Sequence, residues 1–184
     1  MKLSMTLRAL VATGLAIAAA HAPAQETFTG WLFTLERMKE VRPVTDKAWQ
    51  SECGECHLAY QPGLLPARSW EALLRPESLG NHFGVNANIE PAKLATIREY
   101  ALAYAADRSY YKRARKIAAA TAAGPAPLRI SEMRMIVRTH ADIPASRITG
   151  NPAVKSLSQC DRCHTQAQQG VYDNDTVSIP NASR

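Results

Sequence analysis

The sequence predicts a mostly α-helical protein of two small lobes, and three observations predict it. Apolar residues recur at helical spacing, with no set of alternating segments adequate for a sheet. A Gly/Pro break, TAAGPAP at 121–127, divides the chain. Each half then holds one copy of Cys-x-x-Cys-His, CGECH at 53–57 and CDRCH at 160–164, and these contain all four cysteines.

The first 24 residues stand apart from the fold. Lys2 and Arg8 precede the twelve-residue apolar run ALVATGLAIAAA (9–20), and small residues follow at Ala20, Ala22 and Ala24. That order is the order of a secretory signal peptide. Cleavage after Ala22 would leave Pro23 first, so cleavage after Ala24 is expected. The run is too short for the roughly 20 residues of a membrane span, so a soluble, exported, periplasmic protein is expected. Removing Lys2 and Arg8 leaves 20 basic against 16 acidic residues, +4 in place of +6. So mild a balance, in an exported chain, argues against nucleic acid as a partner.

Residues 45–60 suit a helix carrying the first pentapeptide, and Ser69 is placed to cap a second, SWEALLRPESL. Pro91 opens the clearest one, where Leu94, Ile97, Ala101 and Tyr104 recur at helical spacing. RSYYKRARK (108–116) packs five positive charges into nine residues and reads as a solvated helix face rather than a docking patch. After the break, 128–143 resumes a helix with Ser131 as its cap, and 155–168 carries the second pentapeptide on another. The tail from 170 has only short β-prone pieces. The lobes therefore run 25–122 and 123–184.

Thiols three positions apart lie on one side of a helical turn. They are placed to add across the two vinyl groups on one edge of a haem, and the next residue, histidine, then offers a nitrogen to the iron. This is the signature of c-type haem attachment. Three other readings compete. A Cys₄ zinc site needs neither following histidine, a thioredoxin-like pair would sit beside a βαβ pattern that is absent, and two disulfides leave the repeated histidine unexplained. Cys53, Cys56, Cys160 and Cys163 are thus the expected attachment residues for two haems, with His57 and His164 as proximal iron ligands.

Of five histidines, His21 lies in the signal segment and two belong to the motifs, which leaves His82 and His140, one spare for each iron. Bis-histidine ligation is the expected outcome. Methionine is the rival ligand, and beyond the signal segment only Met38, Met133 and Met135 remain. An open sixth position is the other alternative. Local pairing joins His57 to His82 and His140 to His164 across 25 and 24 residues, whereas crossed pairing spans 83 and 82. Loop closure favours the short loops by only about 1 kcal/mol each. The break at 121–127 favours them too, because each half then holds one motif and one spare histidine. Trp49, Tyr60, Leu64, Leu65, Trp70 and Phe83 are candidate haem-pocket walls.

The segments WQSECGECHLAYQPGLLPARSW (49–70), NHFGVNANI (81–89), RTHADIP (138–144) and CDRCHTQAQQGVYDNDTVSIP (160–180) resemble the bacterial diheme cytochrome c (DHC) family. The resemblance spans most of the mature chain. It implies two helical c-type haem-binding lobes packed around two covalently bound haems. It also implies bis-histidine ligation, His57 and His164 proximal, His82 and His140 distal. Members are associated with an oxygen-binding monohaem cytochrome c and with membrane b-type cytochromes. With both axial positions filled, the expected role is single-electron relay and not catalysis. A diheme enzyme of the peroxidase or nitrogen-oxide reductase type, or a ligand sensor, would instead keep one iron open.

Overall fold

The computed structural model describes residues 25–181; the signal segment expected at 1–24 lies outside the described residues. Among the described residues seven short α-helices follow one another, α1 (Phe28–Leu32), α2 (Lys47–Cys53), α3 (Ala67–Leu73), α4 (Pro76–Gly80), α5 (Pro91–Ala103), α6 (Lys112–Ala120) and α7 (Arg134–Thr139), with a 3₁₀ turn between neighbours except at the α3–α4 and α4–α5 junctions. Among the described residues there is no β-strand. Strand-like pairing is confined to two isolated bridges, His82 with Val85 and His164 with Val177.

The helices are shorter than the periodicity predicts, and the reasons are local. The Asp46 carboxylate caps α2 by accepting from Trp49 N at 2.7 Å, but the helix ends at Gly54, inside the pentapeptide. Cys56 and His57 therefore sit beyond the helix, in bends. Ser69 is not a cap. It is buried within α3, which begins after Pro66 and is capped from afar by the Asp107 carboxylate, accepting from Ala67 N at 2.8 Å. Pro76 splits the expected SWEALLRPESL helix, since the residue before a proline avoids helical backbone. Glu90 and Pro91 start α5, the Glu90 carboxylate accepting from Lys93 N at 3.1 Å. Ser131 falls in a 3₁₀ turn, Ile130–Glu132, ahead of α7. The expected helix over 155–168 is two separate 3₁₀ turns, Cys160–Arg162 and Ala167–Gln169.

The core lies among α2, α3, α5 and α6. Trp49 packs edge-on to Trp70 with centroids 5.2 Å apart, and Leu65, Ile97, Ala101 and Ile117 are buried around them. Both indoles are satisfied, Trp49 Nε1 donating to the Tyr60 carbonyl at 2.9 Å and Trp70 Nε1 to the Pro62 carbonyl at 2.8 Å. Lys112, Arg115 and Lys116 are exposed on α6 while Ala114 and Ile117 are buried, so much of the basic run is a solvated face. Arg113 is the exception, paired with the buried Glu40 at 2.6 Å.

The segment 121–127 is non-helical and is held to α3 by Arg68, which donates to the Thr121 and Gly124 carbonyls. Beyond it, the buried apolar side chains among the described residues are Met133, Val154, Ala167 and Tyr172. Hydrogen bonds join this half to the other. Glu40 N and Val41 N both donate to the Gly170 carbonyl, at 3.0 and 3.1 Å, and Tyr172 N donates to the Glu40 carboxylate at 2.7 Å.

Candidate haem sites

Each Cys-x-x-Cys-His segment brings its histidine opposite one spare histidine. The His57 and His82 rings have centroids 6.5 Å apart and planes inclined by 32°. The His140 and His164 rings are 6.1 Å apart and inclined by 74°. A metal–imidazole bond of about 2 Å, plus about 1 Å from nitrogen to ring centre, gives roughly 6 Å between two rings on one metal. Both separations fit an iron held between each pair, and the facing rings are those of the local pairing.

The backbone orients two of the four rings. His57 Nδ1 lies 2.7 Å from the Leu58 carbonyl and His140 Nδ1 lies 2.8 Å from the Ile136 carbonyl. A carbonyl only accepts, so Nδ1 carries the hydrogen and Nε2 keeps a lone pair for a metal. The Nδ1 of His164 is buried without a hydrogen-bond partner, a buried polar atom unsatisfied by the protein. Burial, with the neighbouring His57 and Arg129, holds the His82 imidazole below its ordinary pKa. Burial, with His140 and Arg113, does the same for His164 against the opposing effect of Glu40. These imidazoles are therefore neutral donors at neutral pH.

Around the second pair lies a cavity of about 400 Å³, lined by His140, His164, Cys160, Cys163 and a largely apolar wall that includes Leu64, Ile136, Ile143 and Leu157. That volume falls in the range of cofactor sites, about 300–1,000 Å³. The second pentapeptide forms one turn, with His164 N donating to the Cys160 carbonyl at 2.8 Å, and so presents both thiols and the imidazole together. Tyr172 tilts against His164 with centroids 5.3 Å apart. Its hydroxyl donates to Gln61 Oε1 at 2.7 Å, while Gln61 Nε2 donates to the Ala167 carbonyl at 2.6 Å.

At the first pair, Tyr60 stacks on His57 at 4.7 Å and Phe83 lies 4.7 Å from His82. Phe83 has φ +54°, a left-handed conformation rare for an aromatic residue, and Gly84 follows at φ +95°. This turn closes through His82 N to the Val85 carbonyl at 2.7 Å, and the Arg129 guanidinium covers the Phe83 ring at 3.8 Å.

No disulfide joins any two of the four cysteines. Among the described residues no group of three or more His, Cys, Asp or Glu side chains gathers as a metal cluster, so the Cys₄ set does not assemble. Of the rival ligands, Met38 is exposed, and Met133 and Met135 pack with the core and are absent from the cavity lining. Of the candidate walls, Leu64 lines the second cavity, Tyr60 and Phe83 touch histidines of the first pair, and Trp49, Leu65 and Trp70 belong to the core. Sequence reasoning passed over Gln61, Tyr172, Arg113 and Arg129. For Gln61 the one available signal was its place directly after Cys-x-x-Cys-His-x-Ala-Tyr.

A helical chain that twice sets paired thiols and two facing imidazoles together defines a c-type cytochrome with two haem sites. The family model for dihaem cytochrome c matches residues 49–172, and the chain belongs to that family. Its cofactors are accordingly two c-type haems. The chain is similar to the solved diheme cytochrome type c of Shewanella baltica OS155, at 37% identity over 73% of this chain and 93% of that one, with a TM-score of 0.59. It is similar also to the diheme cytochrome c of Rhodobacter sphaeroides, at 39% identity over 72% of this chain and all of that one, with a TM-score of 0.62. No curated protein matches the chain.

Proposed function

We propose that this protein relays single electrons between redox partners through two bis-histidine haems. The observation that carries the reading is the pair of ring separations, 6.5 Å for His57 with His82 and 6.1 Å for His140 with His164. Cys53 and Cys56 would hold one haem covalently and Cys160 and Cys163 the other; His57 and His164 are proximal ligands, His82 and His140 distal. Each bound haem supplies a one-electron ferric/ferrous couple.

The protein's part is to fix and shield the ligands. The carbonyls of Leu58 and Ile136 take the Nδ1 hydrogens of His57 and His140, which sets the rings' orientation and raises their donor strength. The His82↔Val85 and His164↔Val177 bridges hold a histidine of each pair on paired backbone. Were each iron held by its two imidazoles, no coordination site would be left for a substrate, and the protein would relay electrons rather than turn a substrate over. Imidazole pairs also set lower potentials than His/Met ligation.

The partners are proteins, of the kind the family resemblance implies: an oxygen-binding monohaem cytochrome c or a membrane b-type cytochrome. The site of action is the periplasm, on the signal-peptide pattern of 1–24. No helix among the described residues is long and apolar enough to cross a membrane. Visible and near-infrared spectra of the oxidised haem-loaded protein, with and without carbon monoxide after reduction, test the proposal. Two low-spin haems that ignore carbon monoxide support it. One haem that binds carbon monoxide in the native protein favours the enzyme or sensor alternative.

A further inference from the structure

One aromatic side chain links the first site to the segment that leads to the second site's attachment cysteine. The Tyr60 ring stacks on His57 with centroids 4.7 Å apart and planes inclined by 24°. Its hydroxyl donates to the carbonyl of Ser158, a residue 98 positions away and two before the attachment cysteine Cys160. The backbone of Tyr60 is itself fixed, because its carbonyl accepts from the buried Trp49 indole at 2.9 Å.

We propose that Tyr60 is a positioning residue that couples the two haem sites. One end of the phenol steadies the imidazole of the first site, and the other fixes the segment leading to the second site's attachment cysteine. The inference rests on the electron-relay reading. Within it, Tyr60 is a stacked and hydrogen-bonded link from His57, which would hold one iron, to Ser158, two residues before the attachment cysteine of the other. A disturbance at either end is transmitted because the ring is rigid and both contacts are direct.

A neighbouring contact makes the idea testable without separating the halves. Gln61 bonds the Ala167 carbonyl at 2.6 Å and Tyr172 Oη at 2.7 Å, and this bridge does not involve the Tyr60 side chain. Removing the phenol therefore leaves the two halves docked.

The experiment uses the full haem-loaded protein with Tyr60→Phe and Tyr60→Leu. Electron paramagnetic resonance, potentiometric titration of both haems and magnetic-resonance exchange rates in half-reduced protein are compared. Tyr60→Phe keeps the stack and loses the hydroxyl, so it should shift the second site's signal and potential and leave the first site's in place. Tyr60→Leu should shift both sites and slow interhaem exchange several-fold. Unchanged potentials and exchange in Tyr60→Leu, or a Tyr60→Phe effect confined to the first site, would overturn the proposal. Should Tyr60→Leu fail to fold, the near-isosteric Tyr60→Phe decides by the same criterion. A high-spin haem in the unsubstituted protein would overturn the relay reading instead, and linked shifts at both sites would still identify Tyr60 as the coupling residue.

Discussion

His140 and His164 face one another with their ring planes inclined by 74°, whereas His57 and His82 are inclined by only 32°. The angle matters because each imidazole overlaps one of two perpendicular iron orbitals. Rings that are nearly parallel load one orbital and split the pair widely; rings that are nearly perpendicular load both and leave them close in energy. Irons held by these two pairs would thus be electronically unlike despite the same ligand types.

Replacing the distal histidines should separate the sites. His82→Ala is expected to convert only the first haem to a high-spin, carbon-monoxide-binding form, and His140→Ala only the second. Optical titration with carbon monoxide reads the stoichiometry. Met133→Leu and Met135→Leu should leave both low-spin spectra unchanged, and loss of a low-spin signal in either would restore methionine as a ligand.

Covalent attachment has a mass signature. The exported protein should weigh the chain from Gln25 plus two haems, with no free thiol and no disulfide. Mass spectrometry showing one haem, or a thiol assay returning about two thiols, would contradict the assignment of all four cysteines.

Gly170 should not tolerate alanine. Its φ of +77° is left-handed, and a Cβ there would collide with the Val41 carbonyl. Its own carbonyl meanwhile receives two backbone bonds, from Glu40 and Val41. Gly170→Ala is expected to cost on the order of 3 kcal/mol, a fall of roughly 10 °C in melting temperature for a chain of this size. A shift within 2 °C would show that the 170–172 segment is not the clasp between the halves.

The Glu40–Arg113 pair should behave as a partly buried ion pair. Glu40 accepts from Arg113 at 2.6 Å and from Tyr172 N at 2.7 Å, with its side chain only 9% exposed. Arg113→Met strands that carboxylate and should cost about 3 kcal/mol, while a Glu40→Met/Arg113→Met double variant should recover part of the loss. Denaturant unfolding measures both; equal losses in the single and double variants would rule out the coupling.

The site chemistry was legible because it is a matter of residue types at fixed spacing. Cysteine pairs followed by histidine need no tertiary context to be recognised, and two spare histidines for two irons leave little freedom. The helical class was legible from periodicity as well. Helix ends were not: Gly54 and Pro76 stop helices inside apolar patterns that read as continuous, and most of the chain from 145 to 180 is single turns too short to generate a period. The links between halves were invisible for another reason. Tyr60 with Ser158 and Tyr172 with Gln61 join residues 98 and 111 positions apart, and such contacts leave no local signal.

The central claim, two bis-histidine irons paired locally within the chain, is tested most directly by the electron paramagnetic resonance spectrum of the oxidised full-length protein. Two low-spin signals of equal weight are expected. One should be rhombic, from His57 with His82, and the other strongly anisotropic, from His140 with His164. A high-spin signal accounting for one haem would contradict the claim.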